Sequence, residues 1–330
     1  MHMIRVGIVG LGGIAGIHLL AYRRIENVKI VAVCDALGAA ARSYPLIEGE
    51  GIALYSDIRE MLDAEELDVL DICAPTHLHA SLSLLALERG LHVLCEKPMA
   101  STYAEALAIA EAAKRSGRLF MTAQVVRFSR PYRHLVSTVG SRELGRLVSL
   151  SLHRHSTLPR WRSGSMTADA KQNGGCMIDL AIHDVDLIYS LLGSPDSVSG
   201  VYHAAREGDL NDYVATTLAY GQVTVTLSAA FFTAEIPFSD GYRAIFENGW
   251  LEYSNERGLV SCGTRLDIKD ECYPDEGVGI NITLSSDFVD ELSYFMTCVE
   301  NGLPPEMALP ESTAGSLGLG EQILAATTHI

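Results

Sequence analysis

Basic residues are scarce. Across 330 residues, Lys and Arg total 25 against 41 Asp and Glu, a net charge of −16. Such a surface repels phosphate backbones and anionic lipid, so neither nucleic acid nor a membrane is an expected partner. No run of roughly 20 apolar residues could span a bilayer. No signal-peptide pattern is visible either, because "MIRVGIVG" enters a strand at once. Seven cysteines, at 34, 73, 95, 176, 262, 272 and 298, form no C-x-x-C pair. Cys34, Cys73 and Cys95 sit in apolar strand-like runs, which suits buried thiols in a reducing compartment. A cytoplasmic location is expected, and no metal site. Internal repeats and low-complexity tracts are also missing. The remaining composition, 48% hydrophobic and 20% charged, is that of a globular chain long enough for two domains.

Residues 1–125 alternate strand and helix patterns. Apolar strands are predicted at 4–10, 28–35, 67–74 and 91–96, in "RLFMTAQVV", and more weakly at 52–54. Helices follow them, including 102–117. Continuous apolar strands joined by helices predict a doubly wound parallel sheet covered on both faces. From 126 to 330 the pattern changes. After helices at 131–144 and about 175–192, alternating strands are expected in "SVSGVYHAA", "DYVATTLAY", "QVTVTLSAAFF", "GYRAIFENGWLEY" and "RLDIKDECY". Alternation predicts a mostly antiparallel sheet with one open face. Helices at 287–301 and 311–328 close the chain. The expected fold class is α/β, with a doubly wound domain at 1–125 and an α+β domain at 126–330 whose C-terminal helix can pack back on the first domain.

The first strand runs into "GIVGLGGIAG", a G-x-G-x-x-A loop at Gly10, Gly12 and Ala15. Gly10 permits a tight turn, Gly12 lets backbone approach a pyrophosphate, and Ala15 packs helix on strand. Gly13 and Ile14 complete the helix N-terminus that would face the phosphates. The second strand ends at Asp35, 19 residues after Gly16. A carboxylate there accepts from an adenosine ribose and repels a 2′-phosphate, so NAD is preferred to NADP. Arg42 is the one nearby cation that speaks for NADP.

In such sheets ligands sit beyond the carboxyl ends of the strands. "APTHLHA" places Ala74, Thr76 and His79 at one end, although Thr76 could instead be a helix cap and His79 a helix-face residue. "CEKP" places Glu96 and Lys97 at the next. A lysine at a core edge is paired or functional, and Pro98 keeps it out of a helical conformation; the competing reading is a surface Glu96–Lys97 pair. Gln124, Arg127 and Phe128 lead away from the sixth strand. Further on, "NGGCMIDLAIHDVDLIYSLLG" spaces Asp179, His183 and Asp186 by four and three residues, which places them on one helix face. A carboxylate beside an imidazole fixes its tautomer and leaves the second nitrogen to take a proton. A metal at Asp179, His183 and His153 or His155 lacks the usual ligand spacing. The remaining alternative is an amphipathic helix with a solvated polar face.

These segments, with "DFVDELSYFMTCVENGLPP" and "ESTAGSLGLGEQILAA", resemble the Gfo/Idh/MocA family of oxidoreductases along nearly the whole chain. The resemblance implies an NAD(P)-binding Rossmann domain and a second domain whose large open sheet forms a homodimer or homotetramer. It implies a sugar or cyclitol substrate whose secondary alcohol exchanges a hydride with the nicotinamide. Lys97, Asp179 and His183 would be catalytic, with Lys97 and His183 handling the hydroxyl proton. Cofactor contacts would come from Gly10, Gly12, Gly13, Ile14, Ala15, Asp35, Ala74, Thr76, His79, Glu96 and Lys97. Substrate candidates by location are Arg127, Trp161, Arg162, Asn173, Asp186 and Tyr242. Two alternatives carry different chemistry: NAD-assisted elimination from a glycoside, and a non-catalytic dinucleotide-binding regulator.

Overall fold

A computed structural model describes residues 3–36, 46–47, 50–158, 175–203, 213–274 and 283–330. The chain forms two compact units, each interrupted in sequence. The first takes in residues 1–100, 104–128 and 271–314; the second takes in 101–103, 129–270 and 315–330. Residues 271–314, within the span read as the second domain, thus belong to the first unit.

The first unit is built on β1 (Ile4–Val9), β2 (Val28–Cys34), β3 (Ala53–Tyr55), β4 (Val69–Ile72), β5 (His92–Glu96) and β6 (Phe120–Ala123). All are parallel, in the order β3-β2-β1-β4-β5-β6. Ile4, Val6, Ile8, Val69, Leu70, Val93 and Leu94 are buried, as expected of strands covered on both faces. The connecting helices are α1 (Gly13–Tyr22), α2 (Ile58–Ala64), α3 (Thr76–Glu88) and α4 (Tyr103–Ser116). Strand order reverses between β1 and β4, which opens a crevice at their carboxyl ends.

The second unit begins with α5 (Arg130–Ser141) and β7 (Leu147–Thr157), followed by α6 (Gly175–Asp179) and α7 (Ile182–Leu192). Then come β8 (Ser197–His203), β9 (Tyr213–Tyr220), β10 (Val223–Phe232), β11 (Ser239–Phe246), β12 (Gly249–Ser254), β13 (Gly258–Ser261) and β14 (Thr264–Leu266). Helix α8 (Ser286–Asn301) belongs to the first unit, and α9 (Pro310–Ala326) leads into β15 (Thr327–His329). The nine-stranded sheet runs β14-β13-β12-β11-β7-β10-β9-β8-β15. Only its β7–β10 and β8–β15 pairs are parallel. Along β7 and β10, Leu150, Leu152, Val225, Leu227 and Ala229 are buried, while Ser151, Thr224 and Thr226 are exposed. This is the predicted alternation, with a polar open face.

Three boundaries differ from the sequence reading. "GYRAIFENGWLEY" is a hairpin, folded at Glu247-Asn248 between β11 and β12. "RLDIKDECY" is extended strand only through Leu266. The last helix stops at Ala326, and the β-branched Thr327-Thr328 pair adds an edge strand to β8. Among the described residues, no helix is long and apolar enough to cross a membrane.

Candidate active site

The glycine loop folds as its sequence requires. Gly10 has φ +89°, and a Cβ there would lie 2.6 Å from Ala74 Cα, so only glycine lets the ends of β1 and β4 approach. Gly12 caps α1 in an extended conformation, and a Cβ on it would meet nothing within 4 Å. That is the open face a pyrophosphate needs. Ala15 is fully buried beneath the turn. The loop is tied to the end of β2, since Leu11 N–H donates to Asp35 Oδ2 at 2.8 Å. Gly10, Gly12, Gly13, Ile14, Ala15 and Asp35 therefore lie at one end of the sheet, with Ala74 at the neighbouring strand end. These residues fit a dinucleotide. Thr76 opens α3 and is half-buried; Pro75, not Thr76, occupies the cap position.

His79 and Glu96, both expected as cofactor contacts, brace the interior of the unit. His79 is buried, with its ring nitrogens 2.7 Å from the carbonyl oxygens of Pro98 and Ala74. It spans the two loops that end β4 and β5. Burial pulls its imidazole below the ordinary value, against the two carbonyls. Glu96 points inward from β5, with Oε1 3.1 Å from His18 Nε2 and Oε2 accepting the Lys97 N–H at 2.9 Å. Burial would raise its carboxyl, yet His18 and Lys97 hold it below its usual range. Glu96 is therefore anchored inside rather than paired at the surface. Lys97 itself is half-buried at the carboxyl end of β5, and its peptide bond to Pro98 is cis.

The second unit holds the other catalytic candidates. The single helix expected over 175–192 is two helices. Leu180 N–H and Ala181 N–H both donate to Cys176 O, at 3.0 and 2.8 Å, which widens the turn and separates α6 from α7. Asp179 and His183 consequently stand on either side of a break rather than on one continuous face; both are half-buried. Asp186, a substrate candidate by location, is 1% exposed and accepts from Ser316 Oγ at 2.8 Å. The acid beside the histidine, Asp184, is anchored as well. Arg154 grips it through Nε at 2.8 Å and Nη2 at 3.0 Å, and both residues are buried. Tyr132 donates to Asp240, whose carboxylate lies 3.8 Å from Arg154 Nη1. This clamp pins α7, the helix bearing His183, to β7.

Two other substrate candidates are committed elsewhere. Arg127 donates from Nη1 to Met307 O and from Nη2 to Ser312 Oγ within the first unit. Tyr242 is 2% exposed and donates to Pro131 O at 2.9 Å, within a cluster containing Tyr132 and Tyr253. Trp161, Arg162 and Asn173 lie outside the described residues, as does Arg42. The sequence reading missed His18, Asp71, Arg154 and Asp184. A signal for two of them was available: Asp71 interrupts the apolar strand "LDVLDICA", and His18 the apolar helix "GIAGIHLLAY".

Comparison with known proteins gives a consistent picture. Residues 4–124 match the model of an oxidoreductase family with an NAD-binding Rossmann fold, and residues 132–255 match the GFO/IDH/MocA C-terminal domain. D-glucoside 3-dehydrogenase of Escherichia coli K12 is 33% identical over 258 residues, covering 76% of this chain and 70% of the relative. Inositol 2-dehydrogenase of Salmonella typhimurium is 26% identical over 331 residues, covering 95% and 90%. Among solved structures, myo-inositol 2-dehydrogenase from Lactobacillus plantarum aligns with a TM-score of 0.79 at 22% identity, over 98% of this chain and 96% of that one. The WlbA dehydrogenase of Bordetella pertussis, solved with NADH and UDP-GlcNAcA, aligns at 0.81 and 20% identity over the same shares. At these identities the solved structures speak for the fold.

Proposed function

The chain belongs to the Gfo/Idh/MocA oxidoreductases, and from that premise we propose that it is an NAD-dependent dehydrogenase of a secondary alcohol on a sugar or cyclitol. One observation carries the reading. Lys97 follows β5 on the same edge of the parallel sheet as the open glycine loop and Asp35. Nicotinamide dinucleotide, when bound, supplies the hydride acceptor. Gly12, Gly13, Ile14 and Ala15 would hold its phosphates. Asp35 would accept from the ribose hydroxyls, and its charge favours NAD over NADP.

The chain's own groups handle position and proton. His183 takes the hydroxyl proton as general base, and Asp179 orients the substrate or the imidazole. Lys97 hydrogen-bonds the same oxygen and stabilises charge that develops there. The substrate class is supported by the names of the relatives, which act on glucosides and inositols. All seven cysteines are free thiols, and five are buried, which supports a reducing cytoplasmic setting. The polar open face of the nine-stranded sheet is proposed as the contact between copies in a homodimer or homotetramer.

The test is a spectrophotometric screen for NADH formation across inositols, aldoses, amino sugars and nucleotide sugars, with NADP in parallel. Turnover on at least one polyol with NAD is expected. Tight NAD binding with no turnover on any of them would sink the proposal.

A further inference from the structure

Behind the Lys97 loop lies a fully buried set of ionisable groups that the proposed reaction does not use. His18, on α1, is 0% exposed, as is Asp71 on β4. His18 Nδ1 is 2.8 Å from Asp71 Oδ2, and Nε2 is 3.1 Å from Glu96 Oε1. Asp71 Oδ2 also accepts from Tyr22 OH at 2.9 Å, and Cys73 Sγ lies 3.6 Å from Asp71 Oδ1. Glu96 Oε2 receives the Lys97 N–H.

This geometry constrains the protons. An ionised carboxylate can only accept, so an imidazole between two of them must donate from both nitrogens. Tyr22 and Cys73 are donors to Asp71, and the Lys97 amide is a donor to Glu96. With both acids ionised, each is fully engaged as an acceptor and His18 is the doubly protonated cation between them, the state that the NMR measurement below reads. Charge-assisted bonds of this kind are the strong ones. Burial opposes the cation, yet the Asp71 carboxylate outweighs it and holds His18 well above its ordinary pKa. Burial, then Asp71, pushes the Cys73 thiol up to about 12, so it stays a neutral donor. Glu291, facing the set from α8, is pushed well above its usual value by burial and then by Glu96, and so adds no charge.

We propose that His18 is a positioning residue for Lys97: held between Asp71 and Glu96, it fixes the carboxylate that receives the Lys97 amide, and so sets the main chain that presents the Lys97 ammonium. It joins the helix that starts at the glycine loop to the strand end that carries the lysine. The role of Lys97 rests on the dehydrogenase reading; the link from His18 to Glu96 does not.

The test compares wild-type protein with H18Q and E96Q. In wild type at about pH 8, NMR of protein labelled with ¹⁵N-histidine shows one imidazole protonated at both nitrogens, and H18Q lacks that signal. In H18Q, kcat falls by about 10²-fold, as expected for a misplaced group near the chemistry, while the KM for NAD stays within about twofold. The pH profile of kcat and the pH midpoint of Lys97 acetylation, read by mass spectrometry, both move in H18Q. E96Q, which removes the carboxylate charge that His18 faces, moves the acetylation midpoint as well. A neutral His18 at about pH 8 overturns the proposal. So does a folded H18Q or E96Q whose Lys97 acetylation and pH profile match wild type. If H18Q does not fold, the NMR and E96Q decide. If wild type turns over no polyol, the dehydrogenase reading fails, while NMR and acetylation still settle the part played by His18.

Discussion

Glu291 should make this protein less stable as pH rises, and E291Q should abolish that loss. The residue is 0% exposed on α8, and neither carboxyl oxygen has a hydrogen-bond partner among the described residues. Burial, and then the charge of Glu96, raises its carboxyl well above the ordinary 4.5. The folded state therefore keeps a proton that the unfolded chain gives up near 4.5, and stability falls with pH across the interval between the two values. One proton is worth at most about 1.36 kcal/mol per pH unit. From about pH 5.5 to 7.5 the wild type loses up to roughly 2.7 kcal/mol through this group. A neutral amide of the same shape has nothing to titrate. Between about pH 5.5 and 7.5, the melting temperature of E291Q should gain on the wild type by on the order of 5–10 °C, for a unit of this size. The assay is differential scanning fluorimetry or calorimetry of both proteins across that range in one buffer system. Parallel curves with a constant offset would show that Glu291 has no raised pKa and that its burial is compensated.

Three further outcomes are expected. D184A should cost about 3–5 kcal/mol, because it strands the buried Arg154 guanidinium, whereas R154M with D184L should recover most of that loss; equal melting of the single and double variants would mean that the clamp carries no coupling. D35S should weaken NAD use by about 10-fold or more, the worth of a lost charged hydrogen bond, and should raise turnover with NADP; steady-state kinetics with both cofactors checks this, and an unchanged cofactor ratio would remove Asp35 from the ribose site. K97M and H183A should each lower kcat by about 10²- to 10⁴-fold while NAD binding, read by fluorescence quenching or calorimetry, stays within a few-fold; a variant that keeps wild-type kcat loses its place in proton handling.

The doubly wound sheet was legible because its strands are buried on both faces and read as unbroken apolar runs. The glycine loop, Asp35 and Lys97 were legible for a related reason: each breaks an apolar run at a strand end, where the topology leaves room for a ligand. Side-chain direction was harder to read. Asp179 and His183 keep a four-residue spacing whether or not the helix is continuous, so nothing in the letters announces the widened turn at Cys176. Tyr242 could have been placed correctly. It shares its alternation phase with Ala244 and Phe246, both buried, while Arg243 between them is exposed, which assigns the tyrosine to the covered face. The buried acids were the deepest gap. The rule that singled out Lys97, that a charge at the core must be paired or functional, applies with greater force to Asp71 in the middle of a strand and to His18 in the middle of an apolar helix. It went unused because the partners lie 53 and 78 residues apart, beyond the reach of any local pattern. A sequence can thus mark which ionisable groups need an explanation; only the fold can say that Asp71, His18 and Glu96 explain one another, and that Lys97 stands at the end of their chain.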